Sequence, residues 1–144
     1  MKLYKQAHTV YKTQYHIVWP TRFRRKILTP GVASYLRIKF GEVRKFYPDI
    51  HYVEIGTDKD HVHLHVIIPP RYSVSKMVNI IKTNTSHALQ QKFPHFLNKV
   101  YWDHGGIWSK GFFVSTVGIN EALIQHYVKM QGEEDAGQAQ LELF

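Results

Sequence analysis

Residues 51–70 read HYVEIGTDKDHVHLHVIIPP, and the fold follows from how this stretch is parsed. HYVEIGT and HVHLHVII are two apolar-rich, β-branched runs separated by Asp58-Lys59-Asp60, which marks a hairpin that Pro69-Pro70 closes. In the second run the period of two puts Val62, Leu64 and Val66 on one face and His61, His63 and His65 on the other.

Upstream of the hairpin, TQYHIVW at 13–19 places Tyr15, Ile17 and Trp19 on one face of a strand that Pro20 ends, and the basic loop TRFRRK follows at 21–26. Thr29-Pro30 supplies an N-cap and a first-turn proline, and Val32, Leu36, Phe40, Val43 and Tyr47 recur at helical spacing until Pro48. Downstream, a second helix is expected from about Ser73 to Phe93, burying Val74, Met77, Val78, Ile81, Thr85, Ala88 and Leu89 and stopping at Pro94. Residues 95–108 read as irregular, KGFFVSTV at 110–117 as a fourth strand, and Asn120 as the cap of a last helix opening at Glu121. The order strand, helix, strand, strand, helix, strand is that of an α+β, ferredoxin-like βαββαβ antiparallel sheet, with helices on one face and a C-terminal helix added. A single domain is expected over residues 1–131, with 132–144 a mobile acidic tail and the first few residues also loose.

The 144 residues carry nineteen Lys and Arg against eleven Asp and Glu, a formal +8, and no cysteine. Disulfides, thiolate-bound metal and thiol catalysis are therefore excluded. The charge is unevenly placed. Residues 1–45 hold eleven bases and one acid, whereas residues 132–144 hold four acids and no base, so the first 131 residues carry +12. That distribution points to nucleic acid, because the bases do not line one face of an amphipathic helix as a membrane would require. With no long apolar run and no signal-peptide pattern, a cytoplasmic protein is expected, nucleoid-associated when bound to DNA.

Ten histidines make one His-x-His pair unremarkable, but three in alternation are rare by chance. They are either the solvated face of an antiparallel strand or a place where two imidazoles share a cation. In the last helix, Tyr127 and Gln131 stand four apart on one face. Either Tyr127 packs on the core with Leu123 and Ile124, or its hydroxyl lies beside a phosphate whose oxygen shares a cation with two histidines and the Gln131 amide.

The segments YHIVW (15–19) with the basic run after it, EIGTDKDHVH (54–63), PPRYSVSKMV (69–78), GFFVSTVG (111–118) and YVKMQ (127–131) resemble, in order and spacing, the single-tyrosine transposases of the smallest insertion sequences, members of the HUH nucleases. The resemblance covers residues 13–133. It implies Tyr127 as nucleophile, His61, His63 and Gln131 as ligands of Mg²⁺ or Mn²⁺, and cleavage and rejoining of single-stranded DNA at element ends through a 5′-phosphotyrosine. It also implies recognition of subterminal hairpins by a homodimer whose sites are shared between subunits. His65 departs from the family's apolar residue, so His63 with His65 stands as an alternative pair. Gly118, ahead of the last helix, is a candidate hinge. Arg22, Arg24, Arg25, Lys26, Lys76 and Lys82 are the candidate phosphate contacts, with Phe23, Tyr72 and Trp108 as candidate base-stacking residues. Two rival readings are a non-catalytic RNA- or single-strand-binding module, suggested by KGFFVS, and a histidine-dependent metallophosphodiesterase in which water attacks.

Overall fold

The computed structural model describes residues 4–6, 9–11, 13–103, 105–116 and 121–136. A short antiparallel ribbon, β1 (Tyr4–Gln6) with β2 (Thr9–Tyr11), precedes the main sheet, so part of the N-terminus expected to be loose is paired. The main sheet contains β3 (Gln14–Pro20), β4 (His51–Thr57), β5 (His61–Ile67) and β6 (Phe113–Ser115), all antiparallel, in the order β4-β5-β3-β6. With helices α1 (Pro30–Val43) and α2 (Val74–Lys92) as crossovers, this is the ferredoxin-like α+β arrangement expected from the element order.

Period-two alternation sorts the sheet into two faces. Ile17 and Trp19 of β3 and Val62, Leu64 and Val66 of β5 are buried with Leu36 and Phe40 of α1 and Met77 and Ile81 of α2. Trp19 is fully enclosed, with Phe40 and Trp108 meeting it edge-on at centroid distances of 6.1 and 5.8 Å. Truncating a side chain of that size in such a place costs about 3–5 kcal/mol, so the registers Trp19↔Val62 and Ile17↔Leu64 are held firmly. The opposite face carries Val18, which packs with Phe113 of β6 and Val128 of α4 (Glu121–Asp135). The last helix thus covers the face that bears the histidines.

Local chemistry explains the helix ends. Thr29 accepts a hydrogen bond from the Val32 amide and Ser73 from that of Lys76, each satisfying an orphan donor of the first turn. The apolar stripe of α1 was expected to run to Tyr47, but the helix stops at Val43. Tyr47 precedes Pro48, a position that disfavours the α conformation, and the chain tightens through i→i+3 bonds from Lys45 and Phe46. Pro94 ends α2 as expected, but it also begins α3 (Pro94–Val100), in the stretch read as irregular. Its fixed φ suits a first helical turn, and α3 buries Leu97. The fourth strand is shorter than KGFFVSTV, and residues 132–135, read as the start of the tail, continue α4. Asn120 lies outside the described residues.

Lys82, a candidate phosphate contact, has internal work instead. Its ammonium donates to the carbonyls of Ser109 and Gly111, both at 2.7 Å, and so fixes the chain that leads into β6. Burial lowers its pKa to about 8, opposed by the charge of Asp135. The unfolded chain therefore binds the proton more tightly, and the group's contribution to stability rises as pH climbs from about 8 towards the ordinary lysine value. Urea unfolding at pH 7.5 and pH 10 should show that gain in the wild type, and it should be absent in Lys82→Met.

Candidate active site

The hairpin between β4 and β5 delivers the histidines. His61 is 6% exposed, and its Nδ1 lies 2.9 Å from Oδ1 of Asp60. A carboxylate on Nδ1 is the orienting contact that ligating imidazoles carry, and the ring's Nε2 lies 3.8 Å from Oδ2 of the exposed Asp58. His63 lies across β4: a Cβ on Gly56, its register partner, would come within 1.9 Å of the imidazole. Only glycine leaves room for the ring there. The His61 and His63 centroids are 6.1 Å apart. His65 is engaged elsewhere, tilted at 35° against His16 with ring centroids 4.5 Å apart and its Nε2 2.6 Å from Oε1 of Gln14.

Over this face lies α4, packed on β3 and on the 3-10 turn Arg22–Arg24. Tyr127 and Gln131 are 2% and 3% exposed, so both point inward. The Tyr127 ring meets Phe113 edge-on at 5.8 Å, and its hydroxyl lies above Gly111, where an added Cβ would come to 3.9 Å. Burial, reinforced by Glu134 and Asp135, pushes the Tyr127 hydroxyl pKa well above that of a free tyrosine. In this arrangement the phenol is held neutral. Gly118 lies outside the described residues.

Two acids clamp the helix and the basic loop together. Asp60 also accepts from Arg24, at 3.2 Å from Nε and 3.1 Å from Nη2, and the aliphatic stem of Arg24 lies under Gly132 of α4, where a Cβ would approach to 2.3 Å. Asp135 accepts from the Phe23 amide at 3.1 Å and from the Ser109 hydroxyl, with Nε2 of Gln131 at 3.5 Å from its other oxygen. Arg22 places both terminal nitrogens on Asp103, at 2.8 and 2.7 Å, and its Nε on the Gly106 carbonyl at 2.6 Å. This fork holds the Asp103 carboxyl far below the usual range.

Of the candidate phosphate contacts, Arg22 and Arg24 are therefore filled by carboxylates, while Arg25, Lys26 and Lys76 are exposed. A guanidinium paired with an acid forms a pair without net charge, so it attracts a phosphate less than an unpaired one does. Trp108, offered for base stacking, is buried, and its indole N–H donates to Thr85 at 3.1 Å. Sequence reasoning missed Gly56, Asp60 and Asp135. The first two lie inside the DKD segment and its neighbour and could have been noticed there; Asp135 was assigned to a tail. Asp135→Ala should speed amide hydrogen exchange in α4 by on the order of tenfold or more while β3 and β5 stay protected, since bonds to a charged acceptor contribute about 1.5–3 kcal/mol.

Comparison with known proteins bears on the family and the fold. Residues 9–131 match the family described as IS200-like transposase. The IS200 transposase of Salmonella typhimurium is 34% identical over 141 residues, 95% of this chain and 88% of that protein. The ISDra2 transposase TnpA of Deinococcus radiodurans is 23% identical over 136 residues, 94% of this chain and 95% of that one. A crystal structure of a candidate transposase from Deinococcus radiodurans superposes with a TM-score of 0.77 at 28% identity, covering 91% of this chain and 98% of the other. A REP-associated tyrosine transposase bound to a REP hairpin shares the fold, with a TM-score of 0.54 at 17% identity over 96% of this chain and 76% of the other. No helix among the described residues is long and apolar enough to cross a membrane. With a family match spanning the sheet, the histidine strand and the tyrosine helix, the chain belongs to the IS200-like transposases.

Proposed function

We propose that this transposase cleaves and rejoins single-stranded DNA at the ends of its element, with Tyr127 as nucleophile. The observation that carries the reading is that α4 covers the histidine face of the sheet with Tyr127 and Gln131 turned inward, one helical turn apart. A tyrosine hydroxyl has a pKa of about 10, so near pH 7 only about one in a thousand is ionised, worth roughly 4 kcal/mol of barrier. Burial makes that deficit larger here. The phenol must therefore meet compensating positive charge before it attacks.

The donor chemistry fits a divalent cation. Among the described residues no three His, Cys, Asp or Glu side chains are grouped to hold a metal, and the third ligand that the family resemblance implies is an amide, that of Gln131. His61, whose Nδ1 is occupied by Asp60, and His63, laid over Gly56, offer ring nitrogens, and Gln131 offers an amide oxygen. These three would hold Mg²⁺ or Mn²⁺, which supplies charge neutralisation at the scissile phosphate. The Gln14 contact to His65 favours this pair over His63 with His65.

Attack by the Tyr127 oxygen forms a bond to phosphorus and breaks the bond to the 3′ oxygen. The phenolic proton is lost to the surroundings and the departing oxygen gains one, so a 5′-phosphotyrosine and a free 3′-hydroxyl result. A second 3′-hydroxyl then reverses the step on a different end, with no external energy source. One tyrosine holds one end at a time, so two ends call for two copies of the chain; it is the family resemblance that implies a homodimer with sites shared between subunits. The fold relative solved with a REP hairpin supports a DNA hairpin as the recognised element.

Incubating the protein with labelled single-stranded DNA from its element's ends and Mg²⁺, then running a denaturing gel, tests this directly. Wild type should form a covalent adduct and Tyr127→Phe none, with the fold retained because the phenylalanine ring keeps the contact with Phe113. A cut without an adduct would point to water as the nucleophile. Equal adduct from Tyr127→Phe would sink the assignment.

A further inference from the structure

The loop after β3 carries strain that the chemistry above does not use. Phe23 and Arg24 are consecutive non-glycine residues at φ 59° and 51°, in the left-handed region. Such backbone costs of order 1–3 kcal/mol per residue and persists only where its surroundings over-determine it. Here they do. The Arg22 amide bonds to the Ile107 carbonyl and the Phe23 amide to Asp135 of α4. The Tyr101 hydroxyl donates to the Arg22 carbonyl at 2.8 Å, and the Arg22 guanidinium sits over the Tyr101 ring at 5.0 Å. The result is to hold the Phe23 ring out at the surface, 37% exposed, instead of in the core.

Beside it the turn after α3 displays Trp102, 80% exposed. The two aromatics border a pocket of about 170 Å³ lined by Phe23, Arg25, Val100, Tyr101, Trp102 and Asp103. Its one acid, Asp103, is neutralised by the two-point contact with Arg22 and does not repel a phosphate. Its one free cation is Arg25, which is exposed and makes no ion pair among the described residues. Aromatic faces offered to solvent beside an unpaired guanidinium suit a planar, apolar-faced ligand attached to a phosphate.

We infer that the Phe23–Trp102 pocket is a nucleobase site, taking one unpaired base of the DNA strand by stacking, with Arg25 on the adjoining phosphate. The inference rests on the single-strand reading above and adds a place to it. Every base has a stacking face, so the pocket holds the strand with little sequence preference. Because the Phe23 amide is bonded to Asp135, one turn beyond Gln131, a base seated there lies next to the end of the tyrosine helix.

The three tryptophans make the test specific, since Trp19 and Trp108 are buried and Trp102 alone is open to quenching by a stacked base. The full chain is titrated with single-stranded DNA carrying one end of the element. Dye anisotropy on the DNA and tryptophan emission are followed together, with circular dichroism on each variant. Wild type should bind with quenching in step. Trp102→Ala should lose the quenching and bind about 5- to 100-fold more weakly, with Trp102→Phe recovering most of the affinity. Binding without quenching, or unchanged affinity in Trp102→Ala, overturns the pocket and leaves the single-strand reading standing. No anisotropy change with wild type would overturn both.

Discussion

One carboxylate, that of Asp60, joins the parts of the site. One oxygen takes the Nδ1 side of His61 and the other takes Arg24, while its backbone carbonyl receives the Thr21 amide at 2.8 Å. Through Arg24 it reaches α4, because Gly132 rests on that stem. The histidine strand, the strained basic loop and the tyrosine helix therefore share one anchor, itself mostly buried. Removing it would leave an imidazole without orientation and a guanidinium without a partner, and the loss of one side of a half-buried ion pair exceeds what the pair contributes when intact.

Around that anchor the sheet separates its duties by face. Val62, Leu64 and Val66 are spent on the core with α1 and α2, which leaves His61, His63 and His65 on the other side, with no position shared between stability and chemistry. The histidine face is then covered by α4, whose described contacts include Val128 with Val18 and Phe113 and the buried ring of Tyr127 against Phe113. Polar clamps from Asp135 and Arg24 add to that packing at the helix's C-terminal end.

Much of this was legible in the sequence because the signals are local. The alternation in HVHLHV, the Thr29-Pro30 start and the Ser73 cap depend on neighbours within a few residues, and each appears where the pattern puts it. The exceptions share a cause. Pro94 reads equally as an end and as a beginning, and only the burial of Leu97 decides that a new helix forms. Arg22 and Lys82 look like phosphate contacts until Asp103 and the Ser109–Gly111 carbonyls arrive from distant parts of the chain. Trp102 lay in a stretch without periodicity, where nothing marks an aromatic as exposed. The pairing of His61 with His63 over His65 was carried by resemblance; the contacts of Asp60 with His61, Gly56 with His63 and Gln14 with His65 come from residues whose neighbours only the folded chain supplies.

The most direct measurement is a crystal of the protein grown with Mn²⁺ and examined at a wavelength where manganese scatters anomalously. The account predicts one strong peak in contact with ring nitrogens of His61 and His63 and the amide oxygen of Gln131. A peak between His63 and His65, or a manganese site remote from α4, would contradict it.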